Sequence, residues 1–408
     1  MEQFKNLRIS DWRQFDRVDI NFEGQTTVLT GGNGCGKTTI LNVLSRHFGW
    51  NMNFSATPFV GKKKRKKIYT DLKKIIESEE VTNQAESIGN IAYASGGECL
   101  LQIPQGSSQN PQYSLQYQNQ KQVVGLHIPS HRPAITFQNV DSLPVNPKSI
   151  QQHYQEFQQL LLQTYGSANV RNPGLVLKQS LISLALFGYG NEAVQGNEEY
   201  RELFLGFQEI LRIVLPKPLG FERLEVRMPD VVLVTRTGEF PLSSMSGGVN
   251  SLFGIAWQIH MYGADKDSCT VILDEPENHL HPSMQRSLLP DLAKAFPKYK
   301  FIVATHSPFI VTSNPDANVY GLIYNESNRI ISEHLGKADL AGSPDKVLRE
   351  ILDVPTTLPI WVENKITEVL NKYEGTPDNE EKVSKMFEEL KSLGLNDSLS
   401  MFDYKQGE

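Results

Sequence analysis

The segment Gly31-Gly-Asn-Gly-Cys-Gly-Lys-Thr38 constrains this chain more than any other. It fits G-x-x-x-x-G-K-[ST], a loop whose backbone N–H groups turn inward around a phosphate. The pattern has force only between a strand and a helix, and both are expected here. Thr26-Thr-Val-Leu-Thr30 is a short β-prone run, and Ile40, Leu41, Val43 and Leu44 follow at helical spacing from Thr38 to His47. That order sets a helix N-terminus, with its favourable partial charge, against the bound anion. Gly31, Asn33, Gly34, Cys35, Gly36, Lys37, Thr38 and Thr39 are therefore the expected phosphate-binding residues. Lys37 supplies a positive charge to the β- and γ-phosphates, and the Thr38 hydroxyl is suited to Mg2+. Cys35 reads as a small residue in a variable slot rather than a redox thiol.

A second acidic run matches the loop. Thr270-Val-Ile-Leu-Asp274-Glu275-Pro276 is an apolar strand ending in two carboxylates, at the place where an open α/β sheet presents its ligands. Asp274 can hold the metal and Glu275 can polarise an attacking water. Ser246-Gly247-Gly248 precedes a helix, which Ser246 can cap while the glycines admit a phosphate. Thr305-His306-Ser307 follows the strand Phe301-Ile-Val-Ala, where a histidine can reach a γ-phosphate. Alone these would be a helix cap and a loop histidine; beside the phosphate loop they form a set.

Strands alternate with helices from about 248 to 305, which argues for a parallel sheet. Elsewhere the pattern differs. Asp16–Phe22 alternates polar and apolar residues, and residues 88–128 read as a β-meander. From 147 to 215 the period is helical: Ile150, Tyr154, Phe157 and Leu161 share one face. Strands return at Arg223–Arg227 and Val231–Thr235, and the tail from 344 is helical, with Val383, Phe387, Leu390 and Leu393 forming an apolar face. The 39% hydrophobic content over 408 residues supports a sizeable core. A net charge of −6 excludes a globally basic nucleic-acid coat, but Lys62, Lys63, Lys64, Arg65, Lys66 and Lys67 form a local patch for nucleic-acid phosphates or an acidic partner. Three scattered cysteines exclude a disulfide framework. The sequence has no run of apolar residues long enough for a membrane span and no layout of a signal peptide, so a cytoplasmic protein is expected.

Together these motifs resemble an ABC-type ATPase of the RecF, SMC and OLD class. Gly31–Thr39 is similar to its Walker A, Met245–Val249 to its signature, Ile272–Pro276 to its Walker B, Asn278–Pro282 to its D-loop and Thr305–Ser307 to its H-loop. Asn6-Leu-Arg-Ile-Ser-Asp-Trp-Arg-Gln-Phe15 resembles the opening strand of RecF-like heads. The resemblance covers roughly residues 1–335. It implies an α/β fold: a P-loop ABC ATPase head with an antiparallel β subdomain, a short helical insert and a small helical C-terminus. The head would occupy 1–146 and 221–335, the insert 147–220 and the C-terminal region 336–408. It further implies ATP and Mg2+ as cofactors, Glu275 and His306 as catalytic residues, and Thr38 and Asp274 at the metal. Ser246, Gly247 and Gly248 would act in trans, in a head-to-tail dimer or higher homo-oligomer.

Two departures stand out. The glutamine that transporters of this class carry is replaced by Ser130, His131 and Arg132, of which His131 or Arg132 could substitute, and the signature ends in Val249, which implies slow hydrolysis. The spacing of 209 residues from Lys37 to Ser246, without sustained heptads, argues against a long coiled coil; with 102 residues after His306 no TOPRIM nuclease domain is expected, and Glu363 reads as a plain helix-start acid. The layout is similar to stand-alone ATPases of bacterial anti-phage systems, of the Septu PtuA and PARIS type. That resemblance implies a sensor and scaffold controlling a separately encoded nuclease or toxin. The alternatives are a RecF-like DNA-repair ATPase and a transporter ATPase.

Overall fold

Strands buried on both faces are mostly apolar or β-branched, whereas strands buried on one face alternate. Both kinds occur in one sheet of this computed structural model. It describes residues 2–60, 67–72, 75, 84–144, 146–164, 172–340, 344–350, 352, 354, 358–373 and 380–393. The 11-stranded sheet runs in the order Gln116–Gln118, Glu98–Ile103, Glu86–Tyr93, Phe4–Trp12, Phe15–Asn21, Ile330–Leu335, Asn318–Tyr324, Thr26–Thr30, Lys300–Ala304, Thr270–Asp274, Gly125–Ile128. From Asn318–Tyr324 to Gly125–Ile128 the strands are parallel. Thr26–Thr30, Thr270–Asp274 and Gly125–Ile128 are buried at every residue. From Gln116–Gln118 to Phe15–Asn21 the pairing is antiparallel. In Phe4–Trp12, Phe4, Leu7, Ile9 and Trp12 point into the core while Lys5, Arg8, Ser10 and Asp11 are exposed. Ile330–Leu335 joins the halves, antiparallel to Asn318–Tyr324 and parallel to Phe15–Asn21.

Helices cover the parallel half. Lys37–Ser45 packs on Thr270–Asp274 and Lys300–Ala304, and Gly247–Gly263 packs on Gly125–Ile128. Ile150–Thr164, Pro173–Tyr189 and Glu198–Val214 form the helical block expected from periodicity, with Tyr154, Phe157, Leu161, Leu181, Phe207 and Leu211 buried. Asn172 and Asn197 cap the second and third of these through Gly174 N–H at 2.7 Å and Tyr200 N–H at 3.2 Å. A separate three-stranded sheet is Phe221–Arg227, Asp230–Thr235 and Gly238–Pro241.

The meander read over 88–128 needs correction. Its last strand, Gly125–Ile128, leaves the antiparallel half and pairs in parallel with Thr270–Asp274 at the opposite edge. Gly125 makes that position accessible: a Cβ there would lie 2.4 Å from both Phe48 Cζ and Thr270 O. The pair Asn318–Tyr324 and Ile330–Leu335 was not read from the sequence at all.

Residues 1–347 and 348–408 form two units. In the second, Ile360–Lys372 and Glu380–Ser392 enclose a small core of Val362, Ile366, Val369 and Leu390, while Leu393 is exposed. The side chains of Val383 and Phe387 lie outside the described residues, as do Lys62, Lys63, Lys64, Arg65 and Lys66, and the side chain of Lys67. Among the described residues, no helix is long and apolar enough to cross a membrane.

Candidate active site

Four parallel strands end side by side, so the loops after them meet. Thr30 leads into the phosphate loop, Ala304 into Thr305-His306-Ser307, Asp274 into Glu275-Pro-Glu-Asn278, and Ile128 into Pro129-Ser-His-Arg132. The phosphate loop depends on two glycines in particular. Gly36 has φ +93°, and a Cβ there would lie 2.4 Å from Phe15 Cζ. At Gly31, with φ +143°, a Cβ would lie 2.5 Å from Leu322 O. Asn33 and Gly34 are exposed at the tip, Cys35 is fully buried beneath it, and Thr39 lies in the first turn of Lys37–Ser45.

Lys37 is buried and folded back into its own loop. Its ammonium donates to Gly31 O at 2.9 Å and Gly32 O at 3.0 Å, and meets His306 Nδ1 at 3.3 Å. An ammonium only donates, so Nδ1 must accept. The ring proton then sits on Nε2, which faces Glu275 Oε1 at 3.4 Å. Burial, and then the Lys37 charge, hold the His306 pKa below its ordinary value; Glu275, Glu277 and a bond with the Gly31 backbone oppose this. A neutral ring is what both effects favour.

The Thr38 hydroxyl donates to Asp274 Oδ2 at 3.0 Å. Mg2+ takes ligands at about 2.0–2.1 Å in an octahedron, which sets neighbouring ligands about 3 Å apart. The spacing and the hard oxygen donors therefore fit that ion. Burial pushes the Asp274 pKa up to about 6; the Thr38 bond opposes this, Glu275 and Glu277 add to it, and Lys37 offsets part of it. A buried carboxylate beside two others is poised for a cation. Among the described residues, no group of three or more His, Cys, Asp or Glu could hold a metal by itself. Two protein ligands suit Mg2+, which keeps waters and substrate phosphates in its shell.

Glu275 has a left-handed backbone, φ +44°, which costs a non-glycine residue about 1–3 kcal/mol. Its surroundings enforce it. Glu275 N–H donates to Ala304 O at 2.8 Å, and Asn278 Nδ2 donates to Glu275 Oε2 at 3.3 Å. Arg132 completes the hold. It donates to the carbonyls of Asp274 at 3.3 Å, Glu275 at 3.2 Å and Pro276 at 3.3 Å. Arg132 thus grips the turn that carries Glu275. Ser130 O accepts from Asn278 Nδ2 at 3.3 Å, and His131 is exposed.

Glu277 was missed in the sequence. Its Oε1 accepts from both Thr305 Oγ1 and His306 N–H at 2.7 Å, tying the loop of His306 to the loop of Glu275. The only signal was an acid two positions after Glu275, which has no meaning until the neighbouring loop is known. Ser246, Gly247 and Gly248 are not joined to this cluster. The exposed Ser246 hydroxyl caps its helix, accepting from Val249 N–H at 3.5 Å, and Gly248 packs against His279 and Met284. Among the described residues, Ser246 makes no hydrogen bond to the phosphate loop.

Comparison with known proteins places the chain in a family. The family described as "AAA domain, putative AbiEii toxin, Type IV TA system" matches residues 26–312. The chain is 30% identical over 124 residues to "Retron Ec83 probable ATPase" of Escherichia coli, covering 30% of this chain and 21% of that one. It is 25% identical over 168 residues to "Septu protein PtuA" of Bacillus mycoides (strain KBAB4), covering 40% of this chain and 23% of that one. The matches thus span only about a fifth to a quarter of these relatives' length. Among solved structures, the "SMC head domain from Thermotoga maritima" aligns with 82% of this chain and 98% of that one, at 15% identity and a TM-score of 0.41. A Pyrococcus furiosus Smc head domain with an extended coiled coil aligns with 86% of this chain and 100% of that one, at 13% identity and a TM-score of 0.45.

Proposed function

The chain belongs to this AAA-domain family, and from that premise we propose that it binds ATP with Mg2+ and hydrolyses it as the sensor and scaffold of a bacterial anti-phage defence assembly, controlling a separately encoded nuclease or toxin. One observation carries the catalytic part. Lys37, Thr38, Asp274, Glu275 and His306 converge although 236 positions separate Thr38 from Asp274 and 269 separate Lys37 from His306. The likeness to a retron ATPase and to Septu PtuA supports the defence role.

In this reading Lys37 exchanges the Gly31 and Gly32 carbonyls for the β- and γ-phosphates. Thr38 and Asp274 would hold Mg2+, which when bound neutralises charge on those phosphates. Glu275 takes the proton of the attacking water, and Arg132 keeps its strained turn in place. Neutral His306 donates from Nε2 to a γ-phosphate oxygen, and Glu277 fixes the loop on which His306 stands. Ser246, Gly247 and Gly248 serve the site of a second copy; in support, among the described residues the Ser246 hydroxyl bonds within its own helix and not to the phosphate loop.

The test uses two variants that are each inactive. Lys37→Ala should weaken ATP binding about tenfold or more, about 1.4 kcal/mol. Ser246→Arg should block the partner's site. A mixed dimer carries both lesions on one site and leaves the other intact, so mixing should restore part of the ATPase activity. Unchanged ATP affinity in Lys37→Ala would overturn the phosphate-loop assignment. No recovery on mixing, with subunit exchange demonstrated, would overturn the action in trans.

A further inference from the structure

The side chains gathered at the strand ends serve phosphates and a metal, which leaves the base of the nucleotide to be placed. The sheet sets the direction. Glu275 and His306 follow Thr270–Asp274 and Lys300–Ala304, so the γ-phosphate end lies over those two strands. Both stand on one side of Thr26–Thr30, the strand that leads into the phosphate loop. A triphosphate with its γ end there carries its nucleoside off the other side, toward Asn318–Tyr324, the next strand in that direction.

That strand is fitted to the loop. Gly321 pairs with Thr30, and Leu322 O is the atom that a Cβ on Gly31 would meet at 2.5 Å. The strand then runs past the end of this pairing and stops at Tyr324. Tyr324 pairs with Ile330, and Ile330 pairs with Phe15. Residues paired directly across a sheet point to the same face, so the three side chains form a row. The face is that of the phosphate loop, because the Phe15 ring is the group that a Cβ on Gly36 would strike. Phe15 and Ile330 are fully buried, whereas Tyr324 is 53% exposed.

The turn after Tyr324 is held in place. Asn325 N–H donates to Arg329 O at 2.8 Å, Asn325 Nδ2 to Asp16 Oδ2 at 2.8 Å, and Ile330 N–H to Gln14 O at 2.9 Å. Gln14 Nε2 in turn reaches Gly34 O, in the phosphate loop, at 3.5 Å. An aromatic ring on a braced turn loses little conformational entropy when a ligand covers it. Trp12, at the neighbouring hairpin, offers no such surface: it is fully buried, and its Nε1 donates to Tyr113 OH at 2.8 Å.

We infer that Tyr324 is the surface on which the purine base of the bound nucleotide stacks. Stacking uses the π-face that every base has, so it holds adenine and guanine alike and adds affinity that the phosphates do not supply. Tyr324 thus makes the site one for nucleoside triphosphates rather than for a bare polyphosphate. This assignment rests on the proposed binding of ATP at the phosphate loop.

The test measures, by calorimetry on the full chain with Mg2+, the binding of ATP, GTP and inorganic tripolyphosphate. Tyr324→Ala should weaken ATP and GTP about tenfold or more and leave tripolyphosphate unchanged. Tripolyphosphate reads only the phosphate loop, so its unchanged affinity also shows that the variant is folded. Tyr324→Phe should restore the affinity for ATP and GTP, since the ring and not the hydroxyl makes the contact. An equal loss for tripolyphosphate in Tyr324→Ala overturns the proposal, because the residue would then shape the loop. A loss in Tyr324→Phe as large as in Tyr324→Ala overturns it too, because the hydroxyl would then carry the contact. Failure of wild type to bind ATP overturns the phosphate-loop reading and this one with it; ATP binding with no dependence on Tyr324 overturns this one alone.

Discussion

One buried aspartate lies beside the antiparallel half of the main sheet and another at a strand end of its parallel half, and the two are treated in opposite ways. Beside the antiparallel half, Asp71 accepts from Tyr113 OH at 2.8 Å and from Thr57 N–H at 3.0 Å, and Tyr113 OH in turn accepts from Trp12 Nε1 of the first strand at 2.8 Å. These donors are neutral and the network closes on itself, so it fastens the strands. In the parallel half, Asp274 has one hydroxyl donor, Thr38, and stands near Glu275 and Glu277. Its network opens onto the loops after the strands. A closed network stabilises the fold; an open one holds negative charge in reserve for a cation. The sheet thus divides labour, with packing on one side and chemistry at the strand ends of the other.

The sharpest break in this contrast is Glu275→Gln. The amide keeps the shape and loses the base, so turnover should fall by about 10²–10⁴-fold while ATP still binds. Wild-type turnover would remove Glu275 from the chemistry. Next is Leu7→Ala, in a fully buried strand position of the antiparallel half. It should cost about 2–5 kcal/mol in urea unfolding, yet leave the ATP affinity of the folded protein unchanged. A tenfold loss of affinity would show that the halves are not independent.

Asp274→Asn probes the open network without nucleotide or metal. A pKa raised to about 6 means that the folded protein holds this proton more tightly than the unfolded chain. The charged form therefore destabilises the fold above about pH 6, and the penalty fades as pH falls toward the unfolded value near 4. The variant should gain on the order of 3 kcal/mol at neutral pH and lose that advantage by about pH 4. A pH-independent difference in chemical unfolding would contradict the strained carboxylate. The smallest effect is expected of Glu277→Gln, which keeps an acceptor for Thr305 and His306. Turnover should drop about tenfold, roughly 1.4 kcal/mol, with ATP affinity nearly unchanged. A Glu277→Ala variant should lose more; equal losses in both would mean that charge rather than positioning matters.

The phosphate loop was legible because its requirements are local. Gly31 and Gly36 take positive φ, a demand of the loop's own backbone, and strand, loop and helix are contiguous in the chain. The buried parallel strands Thr26–Thr30 and Thr270–Asp274 were legible for a similar reason, since each is a short run of threonine and aliphatic residues with high β propensity. The strand Gly125–Ile128 shows where this stops. Its apolar content marks a strand, but nothing in four residues says which edge it joins.

The sequence by itself determined the parts of the site: an anion loop, two carboxylates at a strand end and a histidine after the next strand. Only the tertiary structure decided which of them touch. Arg132 grips the carbonyls of a turn more than 140 positions away, and Glu277 holds a loop 28 positions beyond it. Tyr324 comes into line with Phe15 through Ile330, across two strand pairings. Contacts of that kind have no period and no motif, because each depends on two distant segments being packed against each other.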